Sequence, residues 1–399
     1  MTWRDAVPLL TTPIAAAALA CSQNPAATPP IVPGDAAAPT ERATFLTLIG
    51  DDTLAIEWVE FGDGWVEADA LIRGSRTTFR EYRLEMSEAG DVTAYSERVH
   101  SGGTASAPLV QTVELEGSGA QRTLVTWSEG DDGPETRDFA AAPGSVPFVD
   151  VLHWPFEMAL RWHAARGELP DELATFTGRG MRFGLVGNED GTWGLRHPSR
   201  GVSTMELDAE GRILALDGTG STRAYDLTRL GPDALDRDAV GARFAHRPLG
   251  ELSGRGEIDD VVAGVHFTGD YGTPQRRGRA IFGGLLEYGT WWRTGANRAT
   301  HLSIDRDIVI GGESVPAGDY TLSSIPEEDG GTLIINRQTG QGGQSYDESL
   351  DQARVQMRRA HLDERVEVFE IRAVAATEGG RLELRWDDTV YWVPFTVPE

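Results

Sequence analysis

The run Trp292-Arg293-Thr294-Gly295-Ala296-Asn297 holds the residue types in this chain best suited to gripping a ligand. The Arg293 guanidinium offers paired donors that fit a carboxylate or a phosphate. Asn297 brings both a donor and an acceptor. Trp291 or Trp292 can stack on a planar ring or a sugar. Arg279 and Tyr288 lie just upstream in the same stretch, which packs four aromatics and four glycines between Arg279 and Thr300. The same residues also make good structure. An arginine ties loop carbonyls, an asparagine accepts a left-handed turn, and a tryptophan fills a core. The candidate ligand-binding residues are therefore Trp292, Arg293, Asn297, Arg279 and Tyr288.

Support for catalysis is thinner. His301, Asp305 and Asp307 are close in sequence, and His301 and Asp305 share one face of a strand. Asp305 and Asp307 more naturally flank a turn. Glu287 and Tyr288 could move a proton near Arg293, but nothing locates a partner. Ser303 and Ser324 lack the glycine-flanked elbow of a hydrolase serine. His153, Glu157 and His163 fall on one helix without sharing a face, so no metal site is expected. Asp217-Gly-Thr-Gly-Ser-Thr222 lacks the direct Asp-Thr/Ser-Gly of an aspartic protease and reads as a hairpin end. No catalytic residue, metal or cofactor is assigned.

Composition narrows the partners. The chain has 399 residues, 62 of them acidic and 36 basic, for a net charge of −26. Such a surface repels phosphate backbones, so nucleic acid is not an expected partner. Cys21 is the one cysteine. An intramolecular disulfide and a multi-cysteine zinc site are therefore both ruled out.

Residues 1–20 have the make-up of an export signal. Arg4 opens a short, small-residue apolar run that ends Ala18-Leu19-Ala20 before Cys21, too short for a normal membrane span. The stretch resembles a bacterial lipoprotein signal, which implies cleavage before Cys21 and its acylation. The expected location is the cell envelope, with the chain lipid-anchored to a bacterial membrane, periplasmic or outer. Residues 22–43 are rich in proline and alanine and read as a disordered linker behind that anchor.

From residue 44 to about 250 the chain alternates apolar and polar residues, as at Leu54, Ile56 and Trp58 or Tyr82, Leu84 and Met86. Acidic, glycine-containing clusters punctuate these runs. The expectation is an antiparallel meander or half-barrel with one helix near 148–166. Pro155 falls in the first turn of that helix and Gly167 ends it. The segment 230–257 shows no sustained period and marks the boundary. Residues 255–399 then read as an antiparallel β-sandwich, with strict alternation at Ala353, Val355 and Met357. The fold class is all-β, in two domains.

Several motifs recur in order in the second part. They are Tyr271-x-x-Pro274, Gly278-Arg279-x-Ile281-Phe282-Gly283, Tyr288-Gly289-x-x-Trp292-Arg293-Thr294-Gly295-Ala296-Asn297-x-Ala299-Thr300, Pro316-Ala317-Gly318-x-Tyr320 and Ile325-Pro326. Over about 255–397 they resemble the bacterial family catalogued as domain of unknown function 2911. The resemblance implies export, since members are mostly exported, and carries no activity. The resulting expectation is a non-catalytic envelope lipoprotein. It would bind a small anionic or sugar-like ligand, or an envelope partner. An envelope hydrolase acting on glycan or ester, centred on His301 and Arg293, is one alternative. A structural scaffold is another.

Overall fold

The computed structural model describes residues 40–119, 121–178, 180–221 and 223–398. Residues 1–20, with the make-up of an export signal, Cys21 and nearly all of the segment 22–43 lie outside the described residues. Pro39–Glu399 group into one compact unit. Inside it are two antiparallel sheets, each with its own hydrophobic core. No helix among the described residues is long and apolar enough to cross a membrane.

The N-terminal sheet begins in its own middle. Strands β1 (Glu41–Ile49), β2 (Asp52–Gly62), β3 (Trp65–Arg73), β4 (Thr77–Met86), β5 (Val92–His100), β6 (Leu109–Ser118), β7 (Gln121–Ser128) and β8 (Glu135–Asp138) meander outward to one edge. The chain then forms helix α1 (Trp154–Ala164) and reaches the opposite edge. From there β9 (Glu172–Ala174), β10 (Arg182–Gly187), β11 (Trp193–His197), β12 (Gly201–Leu207), β13 (Ile213–Asp217) and β14 (Asp226–Leu230) meander back until β14 pairs with β1. The two outer edges curl toward each other. Arg137 of β8 donates to the carbonyls of Phe176 and Gly178, just beyond β9. The half-barrel expected from the alternation is thus a nearly closed one.

Helix α1 fills it. Trp154, Phe156, Met158 and Leu160 are all buried in the core. Pro155 sits in the first turn, and His153, the cap residue, makes no side-chain cap bond. The cap comes instead from β2. The fully buried carboxylate of Glu57 accepts the backbone N–H of His153 and of Trp154, each at 2.9 Å. A carboxylate at a helix N-terminus satisfies orphan donors and complements the helix dipole. Glu157, also fully buried, accepts from Ile213 N at 2.9 Å, Arg229 at 2.7 Å and Arg161 at 3.0 Å. Desolvation still raises its pKa, against the pull of those two arginines.

Two readings of the sequence change here. The first strand starts at Glu41, inside the segment read as linker. The patternless segment 230–257 contains a helix, α2 (Arg237–Phe244), capped by Asp236 accepting from Ala239 N at 2.6 Å. It also contains the start of β15.

The C-terminal sheet comprises β15 (Ser253–Val262), β16 (Val265–Pro274), β17 (Thr300–Ile304), β18 (Ile308–Ile310), β19 (Glu313–Val315), β20 (Gly318–Glu327), β21 (Gly330–Asn336), β22 (Asp351–Ala375) and β23 (Gly380–Thr396). Their order is β15-β16-β17-β20-β21-β22-β23-β18-β19. The run Val261–Phe267 is the tip of a hairpin, because Ala263 and Gly264 both take left-handed φ values, 52° and 79°. The alternating residues Ala353, Val355 and Met357 open one long strand, β22, whose pairing with β23 shifts between His361 and Glu370. Its first part pairs with β21, while Ile371 N and Ala373 N bond to Tyr271 and Asp260 of the β15–β16 hairpin. The sheet thereby folds over its core in a sandwich-like arrangement.

Candidate functional site

Between β16 and β17 the chain leaves the sheet over residues 275–299 and builds a compact loop. Sequence explains its shape. Trp292 pairs with Ser324 of β20 as an isolated bridge, N–H to carbonyl in both directions at 2.7 and 2.8 Å. Its indole stacks on Trp386 at 5.9 Å between centroids and meets Phe369 edge-on at 4.9 Å. Its Nε1 donates to Gly295 O at 3.0 Å. Thr294 and Asn297 turn the chain with φ values of 52° and 64°. A β-branched residue rarely adopts that region. Thr294 is held there by donating to Ser324 Oγ at 2.8 Å while its carbonyl accepts from Thr300 at 2.7 Å. Gly272 must be glycine, since a Cβ there would lie 2.0 Å from Ala296 O.

This loop faces the N-terminal sheet across a cleft of ≈ 350 Å³. Arg279, Trp292, Arg293 and Asn297 line it from one side, with Leu285, Leu286 and Trp386 among the apolar walls. Arg200 and Arg223 line it from the other. Four arginines therefore line one cleft in a chain whose net charge is −26.

The four are not equivalent. Arg279 is structural in part. Its Nε donates to Arg276 O at 2.9 Å, one terminal nitrogen to Arg223 O at 3.0 Å, and the other to Gln275 O. Burial pulls its pKa down to about 10, helped by the neighbouring charge of Arg277. Arg293 is half-buried and makes one bond, to Asn297 O at 3.0 Å. Burial lowers its pKa as well. Neither Arg279 nor Arg293 forms an ion pair with a described carboxylate. Arg200 and Arg223 share one, Asp150, at 2.8 Å for Arg200. A concave site holding unpaired guanidinium groups is an anion receptor in chemical terms.

Of the five sequence candidates, four meet in this cleft. Tyr288 does not line it; it packs beside Gly283 and under the Arg359 guanidinium. The acid–base candidates disperse. His301 faces Asp270 at 3.4 Å, Asp305 accepts from His266 N at 2.8 Å, and Asp307 accepts from Ala317 N at 2.8 Å. Glu157 serves the α1 network, His153 contacts Glu57 and Tyr225, and His163 packs on Trp162. Asp217 accepts from Thr219 N at 2.8 Å in the turn that closes β13. Arg200, Arg223 and Asp150 were not singled out from the sequence. They stand in turns and a strap some 70–140 residues upstream of Arg293, and no local pattern links them to it.

No curated protein and no solved structure matches the chain. Residues 253–395 match the model of the family described as protein of unknown function (DUF2911). That span covers the C-terminal sheet from its first residue to within one of its last, so it is the C-terminal β domain of this chain that is similar to that family.

Proposed function

We propose that this protein is a non-catalytic binder of a small anionic ligand, held in the cleft between its two sheets. The observation that carries the reading is the convergence of Arg200, Arg223, Arg279 and Arg293 on one concave surface. Two of them lack a carboxylate partner among the described residues. Trp292 favours an anion over a sugar as the ligand, because its ring contacts go to Trp386 and Phe369 and it forms part of the floor. The hydrolase reading draws less support, since His301 faces Asp270 and does not line the cleft.

The same reading places the protein in the cell envelope, tethered through an acylated Cys21. Its support is the sequence Ala18-Leu19-Ala20-Cys21 after a short apolar run, followed by the proline- and alanine-rich spacer. A ligand that binds only the folded state raises the melting temperature by mass action. Thermal melts of the full chain against a panel of phosphates, sulfates, carboxylates and neutral sugars test the ligand class. Stabilisation by the anions and none by the sugars is the expected pattern. Stabilisation by sugars alone would reject it.

A further inference from the structure

Resting on that anion-site reading, we infer that the cleft selects a dianionic group of the phosphomonoester type over a monocarboxylate, and that Asp150 sets the selection. The Asp150 carboxylate bridges two guanidinium groups, one oxygen to Arg200 at 2.8 Å and the other to Arg223. Both arginines line the cleft. The side chains of Asp150, Arg200 and Arg223 are 37%, 31% and 27% exposed, so solvent and ligands reach the pair without unfolding. Asp150 itself does not line the cleft, so it offsets the charge of two of the four arginines from beside it.

A monocarboxylate arriving at Arg200 and Arg223 offers what Asp150 already gives: one charge and two oxygens. It meets two guanidinium groups whose charge Asp150 already offsets. A phosphomonoester above its second pKa near 6 carries about two charges and three strong acceptor oxygens. Its second charge still gains from Arg200 and Arg223 after Asp150 has offset part of theirs. Four guanidinium groups against one carboxylate leave a surplus that a dianion fits and a monoanion does not.

The backbone adds to the discrimination. Val151, next to Asp150, has φ 69°, a left-handed conformation that branched residues seldom take. The two ion pairs of Asp150 pin this turn, in the strap that leads into α1. Drawing Arg200 and Arg223 off Asp150 would loosen that turn, a loss that a dianion offsets better than a monoanion.

The test is calorimetric titration of the full chain at about pH 8, well above the second phosphate pKa near 6, with phenyl phosphate and with benzoate, two probes sharing one apolar body. Phenyl phosphate should bind at least about tenfold more tightly, a gap of about 1.4 kcal/mol. In Asp150→Asn, which keeps the shape and removes the charge, benzoate should gain about tenfold and the gap should shrink. Equal affinities in the unaltered protein would overturn the inference and leave the anion site standing. A gap that Asp150→Asn does not change would overturn the role of Asp150. Failure of both probes to bind at millimolar concentration would remove the inference together with the anion-site reading. If Asp150→Asn fails to fold, the comparison in the unaltered protein still decides the selectivity.

Discussion

The guanidinium of Arg279 in the C-terminal β domain donates to the carbonyl of Arg223 in the N-terminal one at 3.0 Å. With Arg277, which donates to Leu249 O at 3.0 Å and pairs with Asp52, it forms a polar clasp between the two β domains. Arg279→Ala removes donors from three carbonyls. The expected loss is about 1–3 kcal/mol of stability, the cost of leaving buried acceptors unmet. Arg279→Lys should recover little, because one ammonium cannot reach three divergent carbonyls. Chemical denaturation of both variants measures this.

Trp292 and Arg293 are neighbours with opposite expectations. Trp292 is 9% exposed and wedged against Trp386 and Phe369. Trp292→Ala should cost about 3–5 kcal/mol through the cavity left behind. Arg293 is half-buried with one carbonyl bond, and Arg293→Ala should cost less than about 1.5 kcal/mol. Equilibrium unfolding of the pair checks the contrast. Equal large losses would assign both residues to structure.

The cap on α1 gives a prediction remote from the cleft. Glu57 is the acceptor for two backbone donors at the helix start. Glu57→Ala leaves them unpaired in a dry core and should destabilise the protein by about 1–3 kcal/mol. Hydrogen exchange at the amides of His153 and Trp154 should accelerate more than exchange elsewhere in the N-terminal sheet.

The two cores predict partial independence. A fragment starting at Ser253 retains all of the C-terminal core but loses the Leu249 and Asp52 partners of Arg277 and the Arg223 partner of Arg279. It should melt cooperatively at a lower temperature than the full chain. An insoluble fragment would mean that the clasp is indispensable for folding.

How far the sequence reached follows from the range of each signal. Alternation at Leu54, Ile56 and Trp58 or at Ala353, Val355 and Met357 is local, and the strands lie there. Pro155 and Gly167 bracket α1 for the same reason. Strands β6 to β8 carry few buried residues, so their alternation is faint. Helix α2 has polar residues around most of its surface and a glycine in its middle, which hid the Asp236 cap. In the cleft, Arg279, Trp292, Arg293 and Asn297 were legible because one dense stretch carries them. Arg200, Arg223 and Asp150 were not, because their meeting with Arg293 depends on how one sheet stands against the other.

Membrane attachment is tested by intact mass. The protein from a membrane fraction should carry acyl mass on a chain starting at Cys21, and Cys21→Ser should release it into the soluble fraction. A Cys21→Ser protein that stays membrane-bound would reject the anchor.

Arg293 is the cation that the proposed site turns toward its ligand. The decisive measurement is calorimetric titration of phenyl phosphate into the full chain and into Arg293→Ala, with a thermal melt of each. The account predicts saturable one-to-one binding that weakens at least about tenfold in the variant, a change of about 1.4 kcal/mol, with folding intact. Binding of equal strength in both proteins, or no binding in either, would contradict it.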